Sequence, residues 1–113
     1  MTSYFLIGGL VPLHILHHAA EGEIFGREML DELHRHGYRI GPGTLYPMLH
    51  RLEERGYLRA REERRGSRMR RFYRATAAGR AALESVRPQI TELFTELVGT
   101  RRPASRAARR GGR

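Results

Sequence analysis

Cysteine is absent from the 113-residue sequence, and its absence excludes three kinds of chemistry. There can be no disulfide framework, no thiolate metal site and no cysteine nucleophile. A chain without disulfides suits a reducing cytosol, so we expect a cytoplasmic protein. A chain of this length forms one domain, which buries roughly 65% of the surface that the unfolded chain exposes.

Lysine is also absent, so all 21 basic residues are arginine, and with 12 acidic residues they give a net charge of +9. Arginine is always charged, and its fork-shaped guanidinium forms paired hydrogen bonds with phosphate. Six arginines and no acid lie in Arg101–Arg113, so the first 100 residues carry 15 arginines against 12 acids, a net +3. We expect residues 100–113 to be a disordered, solvated tail; a nucleic-acid arm is the alternative.

Long apolar runs are lacking as well. The most apolar segment, Phe5–Leu16, contains Pro12 and one histidine, His14, and follows no basic residue. It therefore predicts neither a membrane span nor a signal peptide. We expect a soluble protein that does not associate with a membrane.

The groups that would indicate an enzyme are missing too. The serines lie apart, in a terminus, a turn, a helix and the tail, and no nucleophile with its base, paired carboxylates or phosphate-binding glycine loop is recognisable. We therefore expect neither catalysis nor a cofactor.

Apolar residues at helical spacing predict two helices in the first 37 residues. The first runs from Tyr4 to Ala19 and is mostly buried. The second runs from Ile24 to His36, and Gly37 is its stop signal. The apolar face of the second helix is formed by Phe25, Met29, Leu30 and Leu33.

A third helix follows, although it begins at the unusual sequence Gly41-Pro42-Gly43. Gly41 can cap this helix, and Pro42 suits its first turn, where the missing N–H removes no helical bond. Pro47 predicts a kink or a frayed first turn, and Gly56 ends the helix. The core face is formed by Leu45, Met48, Leu49 and Leu52, and the outer face by Thr44, Tyr46, Pro47, His50, Arg51 and Glu54.

Next come two strands, Tyr57–Arg64 and Met69–Thr76, with Gly66-Ser67 at the tip of the turn that joins them. Alternation along the second strand places Tyr73 inward. The hairpin carries more positive charge than solubility requires, which predicts a negatively charged partner. The arginines concerned are Arg64, Arg65, Arg68, Arg70 and Arg71.

Thr76 is the predicted N-cap of a last helix that runs to about Val98, and Pro88 should kink or split it near Arg87. The apolar residues of this helix recur at alternating spacings of three and four, the heptad pattern of a coiled coil. We interpret them as a self-association surface; packing on the helix's own domain is the alternative. They are Leu83, Val86, Ile90, Leu93 and Leu97, widened by Phe94.

Three helices followed by a basic two-stranded hairpin is the order of a winged helix-turn-helix, a mainly α fold with a small β-hairpin. The segments PGTLYPMLHRLEERGYL (Pro42–Leu58) and RRFYRATAAGRAAL (Arg70–Leu83) resemble the PadR family of bacterial transcriptional regulators. The likeness covers roughly Leu6–Val98. The sequence departs from the family where Phe25-Gly26-Arg27-Glu28 replaces the usual His-Gly-Tyr-Glu, and where Gly41 replaces a serine.

The resemblance implies the short PadR subgroup, with a DNA-binding domain in residues 1–76 and a C-terminal dimerisation helix in residues 77–99. It also implies a homodimer that binds a palindromic operator in double-stranded DNA, with recognition helices in major grooves about 34 Å apart. Such a dimer would repress a nearby promoter until a small-molecule effector relieves it.

The chemistry of the outer face assigns DNA contacts within that framework. Thr44 and Tyr46 can donate hydrogen bonds to phosphates near the helix N-terminus. His50 and Arg51 are candidates for base edges; packing of Tyr46 on the second helix or the wing, and pairing of Arg51 with Glu54 or Glu28, are the alternatives. The wing arginines expected at phosphates or in the minor groove are Arg65, Arg68 and Arg70.

Three histidines of the first helix, His14, His17 and His18, lie close enough in sequence to share a metal ion. We expect no metal, because the segment is otherwise apolar and no acidic residue lies at matching spacing. Packing at the dimer surface is the preferred interpretation.

Two other functions compete with a specific dimeric regulator. A non-specific nucleic-acid binder would depend on the arginine-rich tail, so deletion of the tail would abolish its binding. A protein-interaction module would use the last helix and no DNA, and would therefore be insensitive to alanine at Arg68 and Arg70.

Overall fold

The computed structural model describes residues 9–99, which form four α-helices and a small antiparallel sheet. The predicted mainly α fold with a wing is confirmed. The start of the predicted first helix and the basic tail lie outside the described residues. The elements are α1 (Leu10–Glu21), β1 (Ile24–Phe25), α2 (Gly26–Arg35), α3 (Pro42–Glu54), β2 (Leu58–Arg65), β3 (Arg68–Ala75) and α4 (Ala77–Phe94), then a π-helical turn (Thr95–Gly99).

One hydrophobic core joins the first three helices to the sheet. The predicted stripes of α2 and α3 are confirmed, except that Met48 is only partly buried and Phe25 belongs to the sheet. Leu83 of α4 packs against this core from outside. The buried residues are Val11, Ile15, Leu16, Ala19, Met29, Leu30, Leu33, Tyr38, Ile40, Leu45, Leu49, Leu52, Leu58, Tyr73 and Ala75.

The predicted second helix begins two residues too early. Ile24 and Phe25 form β1, which pairs antiparallel with β3 opposite Tyr73 and Phe72 and makes the sheet three-stranded, in the order β1-β3-β2. The β-branched and aromatic side chains favour a strand, and β3 offers a free edge. The Phe25 N–H donates to the Glu28 carboxylate at 3.1 Å, which ends the strand and starts α2.

The wing hairpin is tighter than predicted. Both strands are shifted by one residue, so Arg65 pairs with Arg68 and only Gly66-Ser67 forms the loop. Gly66 has φ +66°, which a two-residue hairpin turn requires and which glycine adopts without strain. Tyr73 points into the core as predicted.

The prolines inside the helices break neither of them. Gly41 caps α3 and Pro42 is its first residue, as predicted. The Thr44 and Leu45 N–H groups both donate to the Gly41 carbonyl, at 3.1 and 3.0 Å, so the expected fraying of the first turn is wrong. The helix α4 runs through Pro88, so the expected split is wrong as well, while a kink at either proline stays a prediction.

The start of α4 is anchored to the corner between α3 and β2. Thr76 is its N-cap as predicted, since its hydroxyl accepts from the Gly79 N–H at 3.0 Å. The same hydroxyl donates to the Gly56 carbonyl at 2.6 Å, and the Thr76 N–H donates to the Tyr57 carbonyl at 3.1 Å. These bonds fix the direction in which α4 leaves the helical core and the sheet. Its α-helical part ends at Phe94, earlier than predicted.

Candidate nucleic-acid interface

The outer face of α3 is exposed, because its residues lie opposite the buried stripe of Leu45 and Leu49. Tyr46 is 43% exposed. His50 and Arg51 are exposed one turn later, and Thr44 is half-buried at the helix start. All four predicted contact residues of α3 can therefore be reached from solvent.

Tyr46 also packs on α2. A β-carbon added to Gly26 would lie 2.6 Å from Cε1 of the Tyr46 ring and 3.1 Å from its hydroxyl oxygen, so the ring covers the glycine. The packing considered as an alternative for Tyr46 is therefore present, and the ring still has an exposed side. Packing on Gly26 orients the phenol without burying it.

Arg51 has no acidic partner within ion-pairing distance among residues 9–99, so the alternative pairing with Glu54 or Glu28 does not occur there. Glu54 instead faces His50, with 3.9 Å between its Oε2 and the histidine Nε2. Arg51 therefore presents an uncompensated guanidinium on the exposed face of α3.

The predicted wing contacts differ in their surroundings. Arg68 is exposed and forms no ion pair within the described part of the chain. Arg65 donates to Glu63 at 3.0 Å. The guanidinium of Arg70 lies 4.5 Å from the centre of the Phe25 ring, a cation–π contact. Arg68 is thus the predicted wing residue with the most freedom to reach a phosphate.

Two other arginines, Arg71 and Arg61, hold the wing to the domain. The sequence analysis did not predict their ion pairs. Arg71 bonds both oxygens of Glu53 on α3, the shorter bond at 2.8 Å, and Glu62 on the neighbouring strand at 3.1 Å. Arg61 donates to both oxygens of Glu23 at 2.6 and 2.8 Å and also to Glu63. Arg71 was grouped with the arginines that need an external negative partner, but the chain itself neutralises it.

The pKa values follow from these ion pairs. Hydrogen bonding to Arg61 lowers the pKa of Glu23, and hydrogen bonds from Arg61 and then Arg65 lower the pKa of Glu63. Hydrogen bonding to Glu53 raises the pKa of Arg71. The sequence did contain a signal for these ion pairs. Glutamates and arginines are interleaved in β2, and this pattern places opposite charges next to each other on the sheet.

The predicted dimerisation residues divide into two groups. Leu83 and Val86 are half-buried, and Leu83 packs against the core of its own chain. The C-terminal part of the stripe is exposed, and Val98 extends it. The exposed fractions are 41% for Ile90, 52% for Leu93, 60% for Phe94 and 72% for Leu97.

The histidines of α1 do not form the set considered from the sequence. His17 points away and faces Glu21, whose carboxylate lies 3.3 Å from its Nε2. His14 and His18 instead meet His36, which follows α2. Glu21 is one turn after both His17 and His18, so the statement that no acidic residue lies at matching spacing was wrong. Burial, and then repulsion among the histidines, lowers the pKa of His14.

No helix within residues 9–99 is both long enough and apolar enough to span a membrane.

An exposed polar helix beside a basic hairpin, on a helical core, defines a winged helix-turn-helix protein of the DNA-binding class.

Comparison with known proteins identifies the family within that class. Residues 15–85 match the transcriptional regulator PadR-like family. The chain is 55% identical over 89 residues to the transcriptional regulator Rv3488 of Mycobacterium tuberculosis, and the match covers 79% of this chain and 83% of that protein. The chain belongs to the PadR-like family, whose members are transcriptional regulators and not enzymes.

Solved structures agree with this assignment. A PadR family transcriptional regulator from Eggerthella lenta is 31% identical and superposes with a TM-score of 0.74, over 82% of each chain. A PadR-like regulator from Bacillus cereus is 22% identical, with a TM-score of 0.75 over 82% of this chain and 92% of that one, and shows the fold.

Proposed function

We propose that the protein acts as a homodimeric repressor that binds a palindromic operator in double-stranded DNA near the promoter it controls. The observation that carries the proposal is the pair of surfaces that the chain leaves uncovered: the polar face of α3 with the wing arginines, and the apolar stripe of α4. The first surface has the shape and charge that fit a major groove. The second fits another helix.

The contacts assigned to DNA have separate roles. Thr44 and Tyr46 lie near the N-terminus of α3, where hydroxyl groups and the helix dipole favour phosphate. Arg51 and His50 lie one turn further along the exposed face, where a guanidinium can bond guanine O6 and N7. Wing contacts are assigned to Arg65, Arg68 and Arg70. Arg65 must exchange its bond to Glu63 for one to phosphate.

Dimerisation rests on the exposed apolar residues that run from Ile90 in α4 to Val98 in the π-helical turn. Burial of these apolar side chains against a partner removes their area from water, which favours association, and their heptad spacing matches a second copy of the same helix. The helix α1 packs beside α4, and we assign it to the same interface. We assign residues 1–76 to DNA binding and 77–99 to dimerisation, and we place the protein in the cytoplasm, where the DNA lies.

Repression and its relief by a small-molecule effector are proposed from family membership. A dimer bound over a promoter blocks polymerase, and a ligand that binds the DNA-free form more tightly releases it. Release of the operator can be measured by fluorescence anisotropy. A fluorescently labelled operator fragment has high anisotropy when the dimer is bound to it, and the anisotropy should fall when the effector is added.

The central experiment measures the affinity of the full chain for its own upstream DNA. We expect saturable binding that exceeds binding to random DNA of equal length, with the logarithm of affinity falling by about 0.9 per phosphate neutralised as log salt rises. Arg51→Ala should reduce discrimination between the two DNAs, whereas Arg68→Ala should weaken binding to both.

Arg87→Ala is the matched control, because Arg87 is exposed on α4 and already paired with Glu84 at 2.6 Å. Equal affinity for operator and random DNA would contradict the proposal. If removal of residues 101–113 abolished binding, the non-specific binder would be supported instead. If Arg68→Ala together with Arg70→Ala left all interactions unchanged, the protein-interaction module would be supported.

A further inference from the structure

Two neighbouring helices bring three polar atoms around one point near the end of α1. His18 Nε2 and His36 Nε2 are 3.1 Å apart. Glu32 Oε1 lies 3.7 Å from the first nitrogen and 3.8 Å from the second, too far for a hydrogen bond to either. A point equidistant from the three atoms is about 2.1 Å from each, which is the length of a zinc–nitrogen or zinc–oxygen bond.

His14 supplies a fourth donor. It lies one turn before His18 on α1, and its ring centre is 4.7 Å from that of His36. One nitrogen from each of His14, His18 and His36 lies within 4.8 Å of the other two. The four residues form two pairs at spacing i, i+4, one on each helical segment, which is the way metal sites are built between helices.

The surroundings orient these donors. The other ring nitrogen of His18, Nδ1, faces the Glu21 carboxylate at 3.7 Å. This distance is also too long for a hydrogen bond, but the negative charge beside Nδ1 favours the tautomer with the proton on that nitrogen, in which the lone pair of Nε2 can bind a cation. Arg35 donates to Oε2 of Glu32 at 2.6 Å, so Oε1 is the oxygen that remains turned towards the histidines.

The donor chemistry selects a class of ion. Three imidazoles with one carboxylate and no thiolate suit zinc, nickel, cobalt or copper better than magnesium or calcium, which prefer oxygen ligands. The histidines must be neutral to bind, and the lowered pKa values of His14 and His18, caused first by burial, favour that form at neutral pH.

We propose that His14, His18, Glu32 and His36 form a binding site for a divalent transition-metal ion, with zinc as the reference ion, that joins α1 to the end of α2. An open groove of about 390 Å³ leads to His18 and Glu32 and is lined mostly by carboxylates, which attract cations. Glu21, Glu23, Glu28 and Asp31 are among them. The site does not depend on dimerisation or on DNA.

The test uses the full chain without an affinity histidine tag, freed of metal with a chelator. Calorimetric titration with zinc chloride should give one ion per chain, and the melting temperature should rise with free zinc because the ion binds the folded state. Cobalt as a probe should give the visible absorption of a four-coordinate nitrogen–oxygen site. His36→Ala and Glu32→Gln should each weaken zinc binding at least tenfold.

Two histidine variants serve as controls. His50→Ala, on the exposed face of α3, should leave zinc affinity unchanged, and so should His17→Ala. If His17→Ala weakened zinc binding and His36→Ala did not, the ion would lie at His17, His18 and Glu21 and the proposal would be wrong. The proposal would also be wrong if His36→Ala bound zinc as tightly as the wild type does. Metal-free circular dichroism establishes that each variant is folded.

Discussion

Gly79, in the first turn of α4, packs so closely against the backbone carbonyl of Tyr57 that a β-carbon on Gly79 would overlap the carbonyl oxygen. That carbonyl cannot move away easily. It accepts a hydrogen bond from the Thr76 N–H, and the Tyr57 N–H donates to the Leu52 carbonyl at 2.9 Å. The contact fixes α4 relative to both α3 and the wing.

Gly79→Ala should therefore destabilise the protein, although alanine in a helix interior normally gains about 1 kcal/mol over glycine. Overlap with fixed backbone costs about 1–3 kcal/mol, so we expect a net loss and a lower melting temperature. The matched control is Gly43→Ala, in the first turn of α3, where nothing lies within 4 Å of the new β-carbon. A rise in melting temperature for both variants would contradict the predicted contact.

Gly26→Ala tests the position of Tyr46. The new methyl group meets the far end of the Tyr46 ring, which can rotate away, so the fold should survive with a melting temperature close to that of the wild type. The displaced phenol should no longer reach its phosphate, and we expect operator affinity to fall by about tenfold, the effect of about one lost charge-assisted hydrogen bond. If operator affinity and melting temperature were both unchanged, packing of Tyr46 on Gly26 would not be what positions the phenol for DNA.

Replacement of Leu93 and Phe94 by glutamate should separate the two copies. Both side chains are more than half exposed in the single chain, so the substitutions should leave the DNA-binding domain folded while removing apolar area from the proposed interface. Sedimentation should show a monomer, and operator affinity should fall because each half-site is then bound independently. Thr91→Glu, exposed on the same helix, is the control that should remain dimeric. A variant that sediments as the wild type does would refute the assignment of the stripe.

Stability should decrease as the pH falls below about 4.5. The pKa values of Glu23 and Glu63 are lowered in the folded state, chiefly by hydrogen bonds from Arg61, so the unfolded state takes up protons first. The stabilisation is complete above the unfolded pKa and is lost as the pH drops through the folded pKa. Arg61→Met should flatten the dependence of the melting temperature on pH in this window. If the melting temperatures of Arg61→Met and the wild type changed in parallel with pH, the ion pairs of Arg61 would not be the source of the pH dependence.

Much of this architecture could be predicted because it is local. The spacing of Leu45, Leu49 and Leu52 defines the buried face of α3, and with it the exposed one. Thr76 and Gly41 mark helix starts through chemistry that operates within one turn. The family resemblance added the prediction that α3 is the recognition helix.

Three of the failures involve partners that are distant in sequence. Ile24 and Phe25 read as helix because the strand they pair with lies nearly fifty residues later. Arg71 appeared uncompensated because Glu53 is on another element. His36 joined His14 and His18 only through the packing of α2 on α1, which helical spacing within α1 could not indicate.

The outer strand of the sheet has a consequence for behaviour at high concentration. Six of the eight residues of β2, Leu58–Arg65, are charged, and this strand has β3 on one side only. An unpaired strand edge is a template on which other chains can add, and dense charge opposes such addition. The wing can therefore project from the domain, as the proposed contact with DNA requires, without nucleating edge-to-edge aggregation.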